Sequence, residues 1–269
     1  LDDHLSHQST DPVDHALTSD RNFYDRYYFN LHASSDELFL VTGLGQYPNL
    51  GVTDAFVCIS HGDTQYTVRA SRELGSDRMD TSVGPFRFEV LEGLRRLRLV
   101  CEDNEWGVGF DVVLDGADEA PPAAETVSWV AQVGCYGGTL EGAGKSYDVR
   151  PDRWKGARDR SWGIRSVGEP EAPGIRATEQ RAAGFFHNWL PMQFDDHLLK
   201  VYIEEGPGGE RTLEEAVKVY NFGIDKPHEL LGSPTHRMTY HSGTREVAGA
   251  TIGFAHSDLT VRTTPLRTV

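Results

Sequence analysis

Two stretches of the chain hold the side chains best suited to chemistry. One is Trp154 to Arg165, where Arg158, Asp159, Arg160 and Arg165 stand among Trp154 and Trp162. The other runs from Phe185 to His197 and carries His187, Trp189 and the pair Asp195-Asp196. A carboxyl group kept neutral by apolar surroundings can protonate an alkene, because desolvation raises its pKa. Trp162, Phe185, Phe186, Trp189 and Phe194 are aromatic faces that suit the resulting cation. Asp195, Asp159 and Trp162 are therefore the catalytic candidates. Phe185, His187 and Trp189 fall at alternate positions, so a strand would put all three on one face of a binding site.

Each of these residues also has a plainer reading. Asp195-Asp196 suits a hairpin turn, where Asp bonds its own backbone. Asp159 between two arginines suits an ionised partner of one of them. His187 suits a rim position, bonded to a loop carbonyl. The run from Trp154 as a whole is either a pocket floor or an Arg–Asp–Trp lock at a junction between two halves of the molecule. Buried Trp needs its indole N–H paired and buried Arg needs a fork of acceptors, and both readings supply these.

Other chemistries lack their residues. The eleven histidines are scattered with no HxH or HExxH, so no metal site and no cofactor is expected. Gly144-Lys145-Ser146 has Thr139 where a phosphate loop needs its leading glycine. A Gly-x-Ser-x-Gly elbow is absent. The net charge of −15 repels phosphate backbones and argues against a nucleic-acid partner. No apolar run is long enough for a membrane span. Cys58, Cys101 and Cys135 are odd in number, far apart and set among apolar residues, which points to free buried thiols and a cytoplasmic location.

The elements that must position these residues read as strands. Phe86, Phe88 and Val90 alternate with Arg87 and Glu89, and Leu97 and Leu99 alternate with Arg96 and Arg98. Val108, Phe110, Val112 and Leu114 continue the pattern, with turn residues about every ten positions. Aromatics crowd Phe23 to Phe29, a composition that favours strand. Only Leu213 to Val219 is helix-like, and it is short and ambiguous. Asp115 to Glu125 is acidic, proline-bearing and unpatterned, which marks a boundary. The expectation is an all-β protein of two antiparallel barrels in tandem, residues 1–125 and 126–269.

The string Gly156 to Arg165, Gly-Ala-Arg-Asp-Arg-Ser-Trp-Gly-Ile-Arg, resembles the Gly-x-Arg-Asp-His-Ser-Trp-Gly-x-Arg signature of one lipocalin-like superfamily. That superfamily contains AttH and carotenoid 1,2-hydratase (hydroxyneurosporene synthase). The resemblance implies two lipocalin-like barrels, with the motif opening the second. It also implies cofactor-free chemistry on an apolar molecule, such as hydration of an isoprenoid double bond or cyclisation. The hydratases pair a His-x-Trp on the motif strand with a Tyr-x-Asp on a later strand. Here Arg160 replaces the His, Trp162 is retained, and Gln193-Phe194-Asp195 is the counterpart of the second pair. An arginine does not give up its proton at neutral pH, so Asp195 would act as the acid alone. Arg158 or Arg160 would orient a ligand oxygen, and Gln193 would line the site. The functional expectation is a lyase or isomerase acting on an isoprenoid, steroid, polyketide or acyl substrate in a barrel cavity. The alternatives are a carrier of a hydrophobic small molecule, or a structural protein with filled barrels.

Overall fold

The computed structural model describes residues 18–35, 37–117, 128–164, 174, 186–221 and 223–266. They divide into two compact units, residues 1–167 and 168–268. The described residues contain no α-helix, only strands and one short 3-10 turn at Pro48–Leu50. No described helix is long and apolar enough to cross a membrane.

The first unit is one antiparallel sheet of eleven strands. Its first four are β1 (Phe23–His32), β2 (Leu38–Tyr47), β3 (Val52–His61) and β4 (Thr64–Glu73). After the two-residue β5 (Ser82–Val83) come β6 (Phe86–Glu92), β7 (Arg96–Cys101) and β8 (Gly109–Gly116). The last three are β9 (Ser128–Gly142), β10 (Lys145–Val149) and β11 (Lys155–Ile164). The order across the sheet is β4-β3-β2-β1-β11-β9-β8-β7-β6-β5, with β10 paired to β9. The edges approach each other, since β5 lies against β3 and β4. Arg72 bridges that seam, donating to the carbonyls of Ser82 at 2.7 Å and Asp80 at 2.9 Å. The result is a nearly closed antiparallel barrel.

Alternation fills this barrel. Tyr27, Phe29 and Leu31 of β1, Leu40 and Leu44 of β2, and Leu97 and Leu99 of β7 all enter one core. Their chain neighbours point the other way, as the period of two in a strand requires. Full burial of each such side chain contributes about 1.5–3 kcal/mol. Gly156 opens β11 at a place where no side chain fits. A Cβ there would stand 1.9 Å from the Asn30 carbonyl oxygen of β1. The leading glycine of the motif thus lets β11 dock between β1 and β9.

The second unit holds β12 (Phe186–Gln193), β13 (His197–Glu205), β14 (Arg211–Tyr220) and β15 (Glu229–Leu230) in a four-stranded sheet. A three-stranded sheet follows, of β16 (Pro234–Tyr240), β17 (Val247–Phe254) and β18 (Ser257–Thr263). Leu199, Val201 and Ile203 share one apolar cluster with Ile252 and Phe254. The sequence predicts a second barrel here, whereas the described strands form two separate sheets around that cluster. The division between units falls at 167/168 and not at 125/126. The reason is pairing: β9 joins β8 and β11 joins β1, so strands beyond 126 complete the first sheet. Residues 118–127 lie outside the described residues. Cys58 and Cys101 are buried free thiols, and desolvation pushes the Cys101 thiol up to about 12.

Candidate functional site

One end of the first barrel is polar inside. Inward positions that carry leucine and phenylalanine elsewhere carry Asp25 on β1, Gln46 on β2, Gln132 on β9, and Arg158 and Arg160 on β11. All five are buried, with Asp25, Gln46, Arg158 and Arg160 at 0% exposure. Register explains the grouping. Arg158 stands opposite Phe29 and Gln132, Arg160 opposite Tyr27, and Trp162 opposite Asp25. Arg158 Nε donates to Gln132 Oε1 at 2.8 Å, and Gln132 Nε2 donates to the Leu94 carbonyl at 2.9 Å. Arg160 Nη2 lies 2.9 Å from both oxygens of Asp25. The Arg160 guanidinium also sits over two rings, 5.0 Å from the centroid of Trp162 and 5.7 Å from that of Tyr27.

A third arginine reaches this layer from outside the ladder. Arg78 belongs to the segment between β4 and β5, yet it is buried, with Nη2 3.6 Å from Asp25 Oδ2. Gln46 holds it twice. Gln46 Nε2 donates to the Arg78 carbonyl at 2.7 Å, and Arg78 Nε donates to Gln46 Oε1 at 3.1 Å. Arg78 borders a cavity of about 260 Å³, whose other walls include Tyr27, Thr81, Phe88 and Val90. Tyr27 and Phe88 stack with centroids 6.5 Å apart, and Phe29 backs Phe88 at 5.8 Å.

Asp25 is the carboxyl group that this environment changes most usefully. Burial raises its pKa from 3.8 to about 6, against the opposing pull of Arg160 and then Arg78. Removing a carboxylate from water here outweighs two nearby guanidinium charges. A group of that pKa can hold or release a proton near neutrality, which is what general acid–base work needs. Among the described residues, no three His, Cys, Asp or Glu side chains gather in a way that could hold a metal ion.

The residues singled out from the sequence fall into two sets. Arg158, Arg160 and Trp162 share the inward side of β11, the first two fully buried and the third half-buried. Asp159 is on the opposite side of the same strand, opposite Tyr28 of β1, so it does not enter the barrel with them. His187, Trp189 and Gln193 lie on β12 in the second unit. His187 Nδ1 is 3.2 Å from Glu204 Oε1, and its ring meets Tyr202 edge-on at 5.1 Å. Asp195 is exposed in the turn from Phe194 to His197, where Asn221 donates to its carbonyl at 3.0 Å. Phe185 lies outside the described residues.

Asp25, Arg78 and Gln46 were not among the sequence-derived candidates. Asp25 carried a readable signal. It is the one acid in the inward series Phe23, Asp25, Tyr27, Phe29, Leu31, and a charge at an inward position needs a buried partner. Arg78 gave no such signal, because nothing in a non-strand segment says where its side chains point.

Comparison with known proteins places the chain. The family of unknown function DUF8625 matches residues 1–268. The chain belongs to that family. No curated protein matches it. Among solved structures, a candidate AttH protein from Nitrosomonas europaea is similar, with a TM-score of 0.58 and 13% identity over 93% of this chain and 83% of that one. Kievitone hydratase from Nectria haematococca is similar with a TM-score of 0.53 and 13% identity, over 94% and 80% of the two chains. CghA, solved with Sch210972, is similar with a TM-score of 0.56 and 12% identity, over 86% and 71%. The chain thus shares its fold with AttH-like structures, but the motif strand β11, which the resemblance implied would open a second barrel, is the last strand of the first sheet.

Proposed function

We propose that the polar end of the first barrel is the site of a cofactor-free lyase or isomerase acting on a small, largely apolar molecule. The observation that carries this reading is Asp25, a fully buried carboxyl with a pKa near 6 that touches an arginine lining a cavity. Asp25 takes the acid–base role that the sequence reading gave to Asp195. In the dehydration direction protonated Asp25 gives its proton to a hydroxyl oxygen, the C–O bond breaks and the oxygen leaves as water; the Asp25 carboxylate then takes a proton from the neighbouring carbon as the double bond forms. In the hydration direction protonated Asp25 gives its proton to the alkene carbon, water adds to the cation, and the added water returns a proton to the Asp25 carboxylate. Arg160 holds Asp25 in place through both oxygens, and Arg78 orients an oxygen of the substrate. The stacked faces of Tyr27 and Phe88, with Trp162 beside Arg160, disfavour water and stabilise positive charge. Fold-level likeness to a hydratase and to CghA agrees with this class of reaction, although fold alone does not fix function.

The carrier reading has one observation in its favour: both Asp25 oxygens are already engaged by Arg160. One experiment separates the two. The protein is incubated with an extracted pool of isoprenoid, polyketide and acyl compounds, and products are followed by mass. The expected result is a gain or loss of one water by a subset of compounds, abolished in Asp25→Asn. Compounds that co-purify unchanged with the wild-type protein would replace the enzyme by the carrier.

A further inference from the structure

The three-stranded sheet of the second unit turns one face to the apolar cluster and the other to solvent. Ala250, Ile252 and Phe254 of β17 and Val261 of β18 face the cluster. The alternate positions of β17, which are Gly249, Thr251 and Gly253, face the other way. Register sets Arg237 of β16 and Arg262 of β18 directly opposite Thr251, one on each side. Cross-strand partners share a face, so two arginines flank one threonine in a single row. Both arginines are exposed. Strand spacing puts their backbones about 10 Å apart, a gap that two side chains of this length can close over one ligand.

The charge of this row is unusual for the chain. Acids outnumber bases by 41 to 26, and Arg72, Arg98 and Arg211 each pair with a carboxylate. Among the described residues neither Arg237 nor Arg262 forms an ion pair, and the Thr251 hydroxyl has no hydrogen-bond partner. The single acid in these three strands is Asp258, at the opening of β18. Two like charges facing each other across a strand repel, and an anion held between them reverses the sign of that interaction. The floor between them is also open. Packing explains Gly249, where a Cβ would press on the Thr263 carbonyl at 3.2 Å. Gly253 has no such reason: it lacks a left-handed φ, and a Cβ there would meet only the Thr235 hydroxyl oxygen, at 3.0 Å. Glycine weakens a strand interior, and one of this kind suits close approach of a ligand to the backbone.

Donor count selects the anion. Each guanidinium presents a fork of N–H groups, and the threonine adds one O–H. A carboxylate has two oxygens, and one fork fills it. A phosphate monoester has three terminal oxygens, enough for both forks and the hydroxyl. We propose that this row binds the phosphate monoester group of a soluble molecule, with Arg237 and Arg262 as the forks and Thr251 as the third donor. The net charge of −15 disfavours an anionic membrane as the source of that group. The site belongs to the second unit and does not depend on the reaction assigned to Asp25.

The test titrates phenyl phosphate and benzoate, which share a ring and differ in the anion, into the isotope-labelled full chain. Backbone amide shifts are followed by NMR at constant ionic strength and pH 7.5, above the second pKa of the phosphate at about 6. Phenyl phosphate is expected to shift the amides around Arg237, Thr251 and Arg262 saturably, and to bind about tenfold or more tightly than benzoate. Arg237→Gln and Arg262→Gln each lower that affinity about tenfold without lowering the urea midpoint, because both side chains are exposed. Thr251→Val keeps the shape of the side chain and lowers it about two- to tenfold. Equal affinity for the two probes, saturable shifts elsewhere on the chain, or binding retained when both arginines are replaced overturns the proposal. Shifts that never saturate mean general charge attraction and overturn it as well. Sedimentation with phosphatidylcholine vesicles, with and without phosphatidic acid, separates the sources. Binding that needs phosphatidic acid and is absent with phenyl phosphate would replace the soluble ligand by a lipid headgroup.

Discussion

Asp25→Asn tests whether burial or ion pairing governs the polar end of the barrel. Asparagine keeps the shape of the side chain and an oxygen for Arg160, and removes only the titration. The native carboxyl has its pKa moved from 3.8 to about 6. Below pH 3.8 both folded and unfolded chains carry a protonated Asp25, and its contribution to stability is fully present. Between roughly pH 4 and 6 the unfolded chain ionises first, so stability is lost as pH rises through the folded-state pKa. The full loss is about 3 kcal/mol, from about 1.4 kcal/mol for each pH step separating the two pKa values. Urea unfolding of wild type and Asp25→Asn, followed by tryptophan fluorescence from pH 4 to 7.5, reads this directly. The stability of wild type minus that of the variant should fall across the window by up to about 3 kcal/mol and then level off. A difference that stays flat, or that rises with pH, would mean that Arg160 and Arg78 overcome desolvation. Asp25 would then be an ordinary ionised partner, unsuited to proton transfer near neutrality.

Further outcomes follow from the structure. Arg160→Met should lower stability by about 3–5 kcal/mol at pH 7, because it leaves Asp25 buried without its short contacts. In a double-mutant cycle with Asp25→Asn the losses should fall short of additive by about 1 kcal/mol or more, as measured by chemical denaturation. Gly156→Ala places a methyl group within 1.9 Å of the Asn30 carbonyl and should lower the thermal midpoint, at a cost of at least about 1–3 kcal/mol. Leu99→Ala, at a position with 0% exposure on β7, should cost about 2–5 kcal/mol by urea titration. Arg72→Ala removes the side chain that bridges β4 to the 80–82 segment, and hydrogen exchange should speed at Ser82 and Val83 before the rest of the barrel.

Alternation was the most legible property of the sequence. The inward sets on β6, β7 and β8 are those read from Phe86 to Leu114, because a half-buried strand writes its period directly into residue type. Pairing over long distances was not legible. Asp115 to Glu125 marks a connection by its composition, but composition does not reveal that the strands on either side are neighbours in one sheet. Leu213 to Val219 could be read as a helix because Glu214, Glu215 and Lys218 are helix-compatible; as β14 it buries Val217 and Val219 to 1% and 0%. Among site residues, the motif directed attention to Arg158, Arg160 and Trp162. Their partner Asp25 lies 135 residues from Arg160 in the chain, a distance that no spacing rule spans. Asp195 drew notice as a carboxylate in an aromatic neighbourhood, but a doubled aspartate bounded by two strands serves the turn first.

The place of β11 bears on how the molecule assembles during synthesis. β11 is the last strand of its sheet to leave the ribosome, and it is inserted between β1 and β9. Until residue 164 is available, β1 and the Ser128–Cys135 stretch of β9 each present a bare edge where β11 will dock. Such edges invite pairing with other chains. The strand that delivers Arg158 and Arg160 is thus also the one that removes both edges, so a nascent chain stopped short of it is an aggregation hazard. Docking of that strand brings Arg160 to Asp25, so sheet closure and assembly of the charged layer become a single event.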